Sequence, residues 1–308
     1  MERGAPAAST LMIPIQVPSL KVSPGDLESP ACPLCGSEER HENVYGFPPF
    51  AVARCRRCRL WYLCPRLAEP IMHQSYVDDG YFEGGEGGYS SYQAQEPTLR
   101  PTFRRFLAEI SRRGMTGGRL LEVGCAYGFF LDEARSFFAH RTGTDYSAAA
   151  LEKARGRADR LLLGGIGELA PGETFDCIAC IHVIEHVYDP VAFLRRLAGH
   201  LRPGGWIVLA TPDMGRLWRP LMGRRWPFFK IPEHVTFFDR PSLAELLRRS
   251  GLAEVQALPY ASVFSLDLIG EKLNLRVPAA LNDRWLRLPA TTIAAAGALH
   301  TRSQSPMA

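Results

Sequence analysis

Nowhere in the 308 residues do eighteen apolar side chains run together, so no stretch reads as a membrane-spanning helix. The first twenty residues, MERGAPAASTLMIPIQVPSL, lack the unbroken apolar core of a secretion signal because prolines interrupt them. No charge of one sign dominates. The net charge is +4, and the basic residues, almost all arginine, are spread as RCRRCR, FRRF, SRRG, LRRL and LRRS. That scatter reads as solvated faces and ion pairs and not as a nucleic-acid patch. The remaining expectation is a cytoplasmic globular chain with apolar content ample for a core and with cysteines acting as thiols or metal ligands, not disulfides.

One further absence narrows the cofactor. RLLEVGCAYG, residues 119–128, is a buried-strand pattern running into a turn of small residues, followed by the apolar FFLDEARSFF. Leu120, Leu121 and Val123 suit a strand covered on both faces. Gly124, Ala126 and Gly128, with Cys125 among them, leave backbone bare for close approach of a ligand. The helix expected from Phe129 would offer its N–H groups and positive end to an anion. The dinucleotide fingerprint requires a third glycine where Phe129 stands, which disfavours a NAD-linked oxidoreductase. Asp145, 23 residues beyond Glu122, ends the next strand, HRTGTD, ahead of a helix capped by Ser147. A carboxylate there can accept from both hydroxyls of a ribose, with Tyr146 beside it.

Cys32-Pro-Leu-Cys35 and, after nineteen residues, Cys55-Arg-Arg-Cys58 have the paired-knuckle spacing of a four-cysteine zinc ribbon. Each pair sets two sulfurs on one tight turn, and four protein sulfurs leave no open position, so the zinc is expected to be structural. PTLRPTFRRFLAEISRRG carries apolar residues at 103, 106, 107 and 110, an amphipathic helix ending at Gly114. A short third strand lies in LLLGGIGELAP, and a buried fourth in residues 175–183, whose Cys177 and Cys180 are inert core thiols. His182, Glu185 and His186 follow at its carboxyl end, where the crevice of a doubly wound sheet opens. Residues 201–205 read as a turn and 206–210 as the fifth strand. Strands six and seven are expected in VQALPYASVF and TTIAAAGAL, with a short helix and loop between them that suits packing or a homodimer surface.

Several of these motifs, in this order from Cys32 to Leu252, resemble known proteins. Glu122, Gly124, Ala126 and Gly128 resemble the first motif of class I S-adenosylmethionine (SAM) dependent methyltransferases, (D/E)-x-G-x-G-x-G, with Ala126 for the middle glycine. FDCIAC, EHVYDP and LRPGGWIVLATP resemble the ubiquinone-type O-methyltransferases. CPLCGS, CRRCRLWYLCPR and PEHVTFF resemble a subfamily with an N-terminal zinc-bearing module. The resemblance implies an α/β fold, a seven-stranded Rossmann-like sheet with a small zinc-ribbon domain, and SAM-dependent methylation of a small-molecule or sugar-type acceptor on oxygen, or else on carbon or nitrogen. A rival from another class has the zinc ribbon docking the fold onto RNA or a protein to be methylated.

On this reading residues 1–28 are a leader, 29–70 the zinc module and 71–96 a lid and linker. The core is 97–260, with an acceptor-pocket insertion at 213–232, and 261–308 form the C-terminal helix, last strand and tail. Tyr89 or Tyr92 of the lid would touch cofactor. SAM contacts are expected from Glu122, Gly124, Cys125, Ala126, Gly128, Asp145, Tyr146, Ile166 and His182. Relatives carry an acid for the adenine amine near Gly165, which is absent here, leaving Ile166 to offer backbone and apolar contact. Trp218, Trp226 and Phe228 would wall the acceptor. His186 or His234 would be the base, with Glu233 orienting His234. Related sugar C-methyltransferases have a tyrosine where Ile231 stands.

Overall fold

The computed structural model describes residues 22–77, 79–82, 92–215, 218–258 and 260, together with 262–266, 278, 285–288 and 291–298. Its centre is a sheet of strands β1 (Arg119–Val123), β2 (His140–Asp145), β3 (Arg160–Leu163), β4 (Phe175–Ile181), β5 (Leu201–Pro212), β6 (Leu252–Leu258) and β7 (Thr291–Ala298). Their order is β6-β7-β5-β4-β1-β2-β3. The five strands from β5 to β3 pair in parallel, whereas β7 runs antiparallel to both β5 and β6. Winding reverses between β1 and β4, so a crevice opens beyond their carboxyl ends.

The helices are α1 (Glu69–Val77), α2 (Glu96–Arg112), α3 (Phe129–Glu133), α4 (Ala148–Ala154), α5 (Pro190–Gly199), α6 (Trp218–Met222) and α7 (Arg240–Arg249). Alternation along the central strands feeds two cores, as expected for strands covered on both faces. Leu121, Ile178, Cys180, Ile207 and Leu209 face α5 and α7 through Leu194, Leu197, Leu243 and Leu246. Leu120, Cys177, Ala179 and Val208 face α2 and α3 through Phe103, Phe106, Leu107 and Phe130. The 103/106/107/110 stripe of α2 is thus what its spacing predicts, and α4 begins on Ser147, whose hydroxyl accepts from the Ala150 N–H at 3.1 Å. Burial pushes the Cys177 and Cys180 thiols up, consistent with inert core residues.

The cysteine segment does not stand apart. Its strands Arg40–Phe47, Phe50–Cys55 and Trp61–Leu63 are joined by a fourth, Thr236–Phe237, from the far side of the catalytic sheet in sequence. Cys32, Leu34, Cys55, Leu60 and Tyr62 share the core of Leu121 and Ile178. The Gly36 N–H to Cys32 carbonyl bond, 2.8 Å, and the Arg59 N–H to Cys55 carbonyl bond, 3.1 Å, close the two knuckles.

Three local expectations are corrected. Residues 201–205 are drawn into β5 with a register break between Leu201 and Trp206, because pairing with β4 continues on both sides of the turn-forming Pro-Gly-Gly. The sixth strand stops at Leu258, and Ser262–Ser265 pair instead with Trp285–Leu288 in a separate ribbon. Most of the helix expected between them lies outside the described residues. Finally, α3 is only five residues long and tightens into a 3-10 turn at Ala134–Ser136. The anion-binding argument from a helix dipole is correspondingly reduced, and backbone geometry in the preceding turn carries more weight. Among the described residues no helix is long and apolar enough to cross a membrane.

Candidate active site

Beyond the ends of β1, β2 and β4 lies a cavity of about 580 Å³. Glu122, Gly124, Ala126, Asp145, Tyr146, Ile166, His182, His186 and His234 line it, so most of the site residues expected from sequence converge there. Cys125 does not line it. Its sulfur packs against β2, 2.7 Å from where a Cβ on Gly143 would sit. Gly128 faces Ala154 and Arg157 of the neighbouring helix and turn.

The turn after β1 has a physical requirement for bare backbone. Gly124 has φ +70°, and a Cβ there would sit 2.7 Å from the Val183 side chain. Ala126 also occupies the left-handed region, at φ +47°, a conformation that costs an L-residue about 1–2 kcal/mol. The substitution of the family's middle glycine is therefore more than the slight widening its added methyl suggests. The Ala126 N–H donates to Asp145 Oδ2 at 2.8 Å, holding the strained turn against the end of β2. Asp145 Oδ1 accepts from the Ser147 N–H at 3.0 Å.

Two buried carboxylates therefore face one cavity. Burial, and then the Asp145 charge, push Glu122 well above the ordinary carboxylate range. Burial likewise raises Asp145, against the pull of three backbone N–H groups. Glu122 Oε2 is buried and has no hydrogen-bond partner among the described residues. Such a pair favours a ligand that brings hydroxyl donors or positive charge.

At the other end of the cavity, the segment after β4 makes a tight turn on His182, whose φ is +56°. Its Nδ1 lies 3.2 Å from Glu185 Oε1. Although burial works against ionisation, the His182 hydrogen bond and charge hold the Glu185 carboxyl down at about 2. The His186 and His234 rings meet edge to face with centroids 4.7 Å apart. His234 Nδ1 is 2.8 Å from the Phe228 carbonyl, which can only accept, so the ring's proton sits on Nδ1 and its lone pair on Nε2. His186 Nδ1 lies 3.0 Å from the Tyr76 hydroxyl. Burial lowers the pKa of both rings, and His186 nearby brings His234 to about 3.

Glu233 does not orient His234, as the sequence suggested. Its Oε2 accepts from Tyr81 at 2.8 Å and pairs with Lys230 at 3.0 Å, and the main chain of residue 228 does the orienting instead. Nor does Trp226 wall the acceptor space. It is buried among Phe47, Trp61 and Phe229, while Phe228 does line the cavity. The Trp218 side chain and Tyr89 lie outside the described residues, and Tyr92 lines the cavity. Sequence reasoning missed His73, Tyr76 and Lys230, which carry no motif of their own.

Among the described residues two clusters have metal-ligating chemistry. The four sulfurs of Cys32, Cys35, Cys55 and Cys58 lie within 4.8 Å of one another, with Cys32 to Cys58 at 3.4 Å and Cys35 to Cys55 at 3.5 Å. Thiolates bound to one zinc at about 2.3 Å would be about 3.8 Å apart, so the donor set fits a closed tetrahedral site. Glu185, His186 and His234 also each bring one ligand atom within 4.8 Å of the others.

The half-buried His186 and the buried His234 make stability pH-dependent. Both are neutral in the fold, whereas in the unfolded chain they protonate near 6.5. The unfolded state therefore binds more protons below that pH. Their contribution is intact above about pH 6.5 and falls as pH drops toward the folded pKa, by up to about 1.4 kcal/mol per unit for each ring. Thermal melts at about pH 7.5 and 5 should show this loss, and His234→Gln should shrink it. An unchanged difference in the variant would remove His234 from the account.

A doubly wound, mostly parallel sheet with acids at the tips of adjacent strands and a strained small-residue turn between them defines a Rossmann-like fold with a candidate nucleoside site. The chain belongs to the Methyltransferase domain family, which matches residues 92–257, more than half of it. It is a class I SAM-dependent methyltransferase. Among curated relatives it is 28% identical over 172 residues to a ubiquinone biosynthesis O-methyltransferase of Bradyrhizobium sp. (strain ORS 278), covering 49% of this chain and 67% of that one. The protein of the same name from Aromatoleum aromaticum is 29% identical over 175 residues, covering 50% of this chain and 74% of the relative. For others the match spans less than half of the relative's length, as with Rhodopseudomonas palustris (strain HaA2) at 43%. Magnesium protoporphyrin IX methyltransferase from Synechocystis PCC 6803, solved with bound SAH, superposes with a TM-score of 0.50 over 75% of this chain and 100% of that one. At 14% identity that likeness shows the fold alone.

Proposed function

We propose that this enzyme methylates an oxygen of a small-molecule acceptor, with SAM in the cavity and a structural zinc on Cys32, Cys35, Cys55 and Cys58. The observation that carries the reading is the convergence on one cavity of two buried acids from adjacent strand ends and a buried neutral imidazole with a free lone pair. SAM, when bound, supplies an electrophilic methyl carbon. Asp145 would accept from its ribose hydroxyls, and Glu122, unsatisfied and buried, would be relieved by a cationic ligand. The histidine pair would hold the acceptor hydroxyl in line and take its proton at His234 Nε2. Alignment of the two reactants does most of the work.

Oxygen is favoured over a sugar carbon for a local reason. Ile231, where related C-methyltransferases have tyrosine, is buried with Phe47, Trp61 and Val235, so no phenol stands at that position. The aromatic side chains of Tyr76, Tyr81, Tyr92 and Phe228 suit a flat or hydroxylated acceptor.

Titration calorimetry with S-adenosylhomocysteine tests the donor assignment. Asp145→Ala should weaken binding about 10- to 100-fold, the effect of hydrogen bonds to a charged group worth about 1.5–3 kcal/mol. Equal affinities in wild type and variant would remove the ribose assignment.

A further inference from the structure

Four residues of α1 line the cavity: Glu69, Met72, His73 and Tyr76. Their spacing, three, four and seven residues from the first, is one face of a helix. The helix that follows the cysteine module therefore walls the site along its length. At the acceptor end the Tyr76 hydroxyl meets His186. At the opposite end the His73 ring packs edge-on against Tyr146, centroids 4.5 Å apart and planes at 80°. Tyr146 directly follows Asp145, so Glu69 and His73 border the part of the cavity just beyond the ribose acid.

That part has a deficit. The cavity wall at the end of β3 is Gly164, Gly165 and Ile166, none of which brings a side-chain acceptor. A side chain at Gly165 has no room, since its Cβ would lie 2.4 Å from the Tyr146 hydroxyl. Glu168, the nearby acid in sequence, folds back on Gly164, with Oε1 3.2 Å from where that residue's Cβ would be. Besides Glu122, Asp145 and the helix-capping Asp189, whose Oδ1 accepts from the Ala192 N–H, Glu69 is the acid that lines the cavity, and after burial its charge is the next largest influence raising the Tyr146 phenol.

We propose that Glu69 is the acceptor for the exocyclic amine of the donor's adenine, and that His73 is a positioning residue that fixes the Tyr146 ring beside the base. Recognition of the base has thus moved from the end of β3 to a helix of the N-terminal region. This rests on the reading of SAM as donor.

The test compares binding of S-adenosylhomocysteine with S-inosylhomocysteine, whose base carries a carbonyl in place of the amine, to the full chain and to Glu69→Gln. Wild type should prefer the adenosyl compound by about 10-fold or more, equivalent to about 1.4 kcal/mol. Glu69→Gln should cut that preference to about threefold or less, corresponding to about 0.7 kcal/mol. Because Glu69 is exposed, the change removes no core packing. His73→Ala should weaken both ligands together and leave their ratio unchanged. A wild-type ratio retained by Glu69→Gln, or no preference in wild type, overturns the assignment of Glu69. Failure of wild type to bind either compound is a separate result that removes the donor reading itself.

Discussion

Replacing His234 with alanine is expected to lower turnover about 10²- to 10⁴-fold while leaving affinity for S-adenosylhomocysteine unchanged, the range for loss of a positioned proton acceptor. The direction follows from the tautomer. With Nδ1–H committed to the Phe228 carbonyl, the ring can present only a lone pair at Nε2. Burial and the neighbouring His186 hold its pKa at about 3, so it is uncharged near neutral pH and able to accept a proton. It is a weak base at rest, which limits its effect to that of an acceptor that orients the hydroxyl and receives the proton late in the transfer. His186 has a different partner. The single Tyr76 proton has two acceptors in reach, His186 Nδ1 at 3.0 Å and the Glu233 carbonyl at 3.4 Å; with the shorter contact as the donated one, the proton of His186 sits on Nε2 and the ring faces the cavity as a donor. His186→Ala should therefore raise the acceptor KM more than it lowers turnover. Single-turnover rates with calorimetric donor binding check both, and parallel loss of donor affinity and rate would make His234 a structural residue.

If Cys32, Cys35, Cys55 and Cys58 hold the proposed zinc, removing it should cost the fold itself. Coordination energies of structural zinc, about 10–16 kcal/mol in small peptides, equal or exceed the whole stability of an ordinary domain, about 5–15 kcal/mol. Here the ligands are not confined to an appendage. Cys32 and Cys55 pack in the core that holds Leu121, Ile178 and Ile207, and Thr236–Phe237 completes the sheet that Cys55 ends. Cys35→Ser is therefore expected to yield a chain with metal content near zero, by mass spectrometry, and a thermal transition lowered by more than about 10 °C or abolished. Cys64→Ala, whose sulfur lies outside the four-sulfur cluster, should keep its metal. A metal-free wild-type chain with an unaltered transition would exclude the structural role.

Much of this architecture was legible beforehand because it depends on short-range rules. The strand Arg119–Val123, the amphipathic α2, the Ser147 cap and the two C-x-x-C knuckles each follow from periodicity, capping or ligand spacing within a few residues. The acids Glu122 and Asp145 could be placed at strand tips because strands and turns alternate regularly there. Glu233 was misassigned for the same reason: adjacency to His234 in sequence suggested a partnership, but a carboxylate one residue away in an irregular turn points elsewhere, to Lys230 and Tyr81. Trp226 looked like a pocket wall on composition alone, and it is buried instead because the four-stranded N-terminal sheet needed an apolar cover.

The amino-acid sequence by itself determined the core strands, the small-residue turn between the two strand-end acids and the paired C-x-x-C turns, since each is encoded by residues that are neighbours along the chain. Tertiary structure alone decided that α1, more than forty residues upstream of the first core strand, walls the cavity, that Tyr76 meets His186 across 110 positions, and that His234 takes its orientation from a carbonyl. Such contacts arise from the packing of distant segments around a shared core, and no local pattern of side chains announces them.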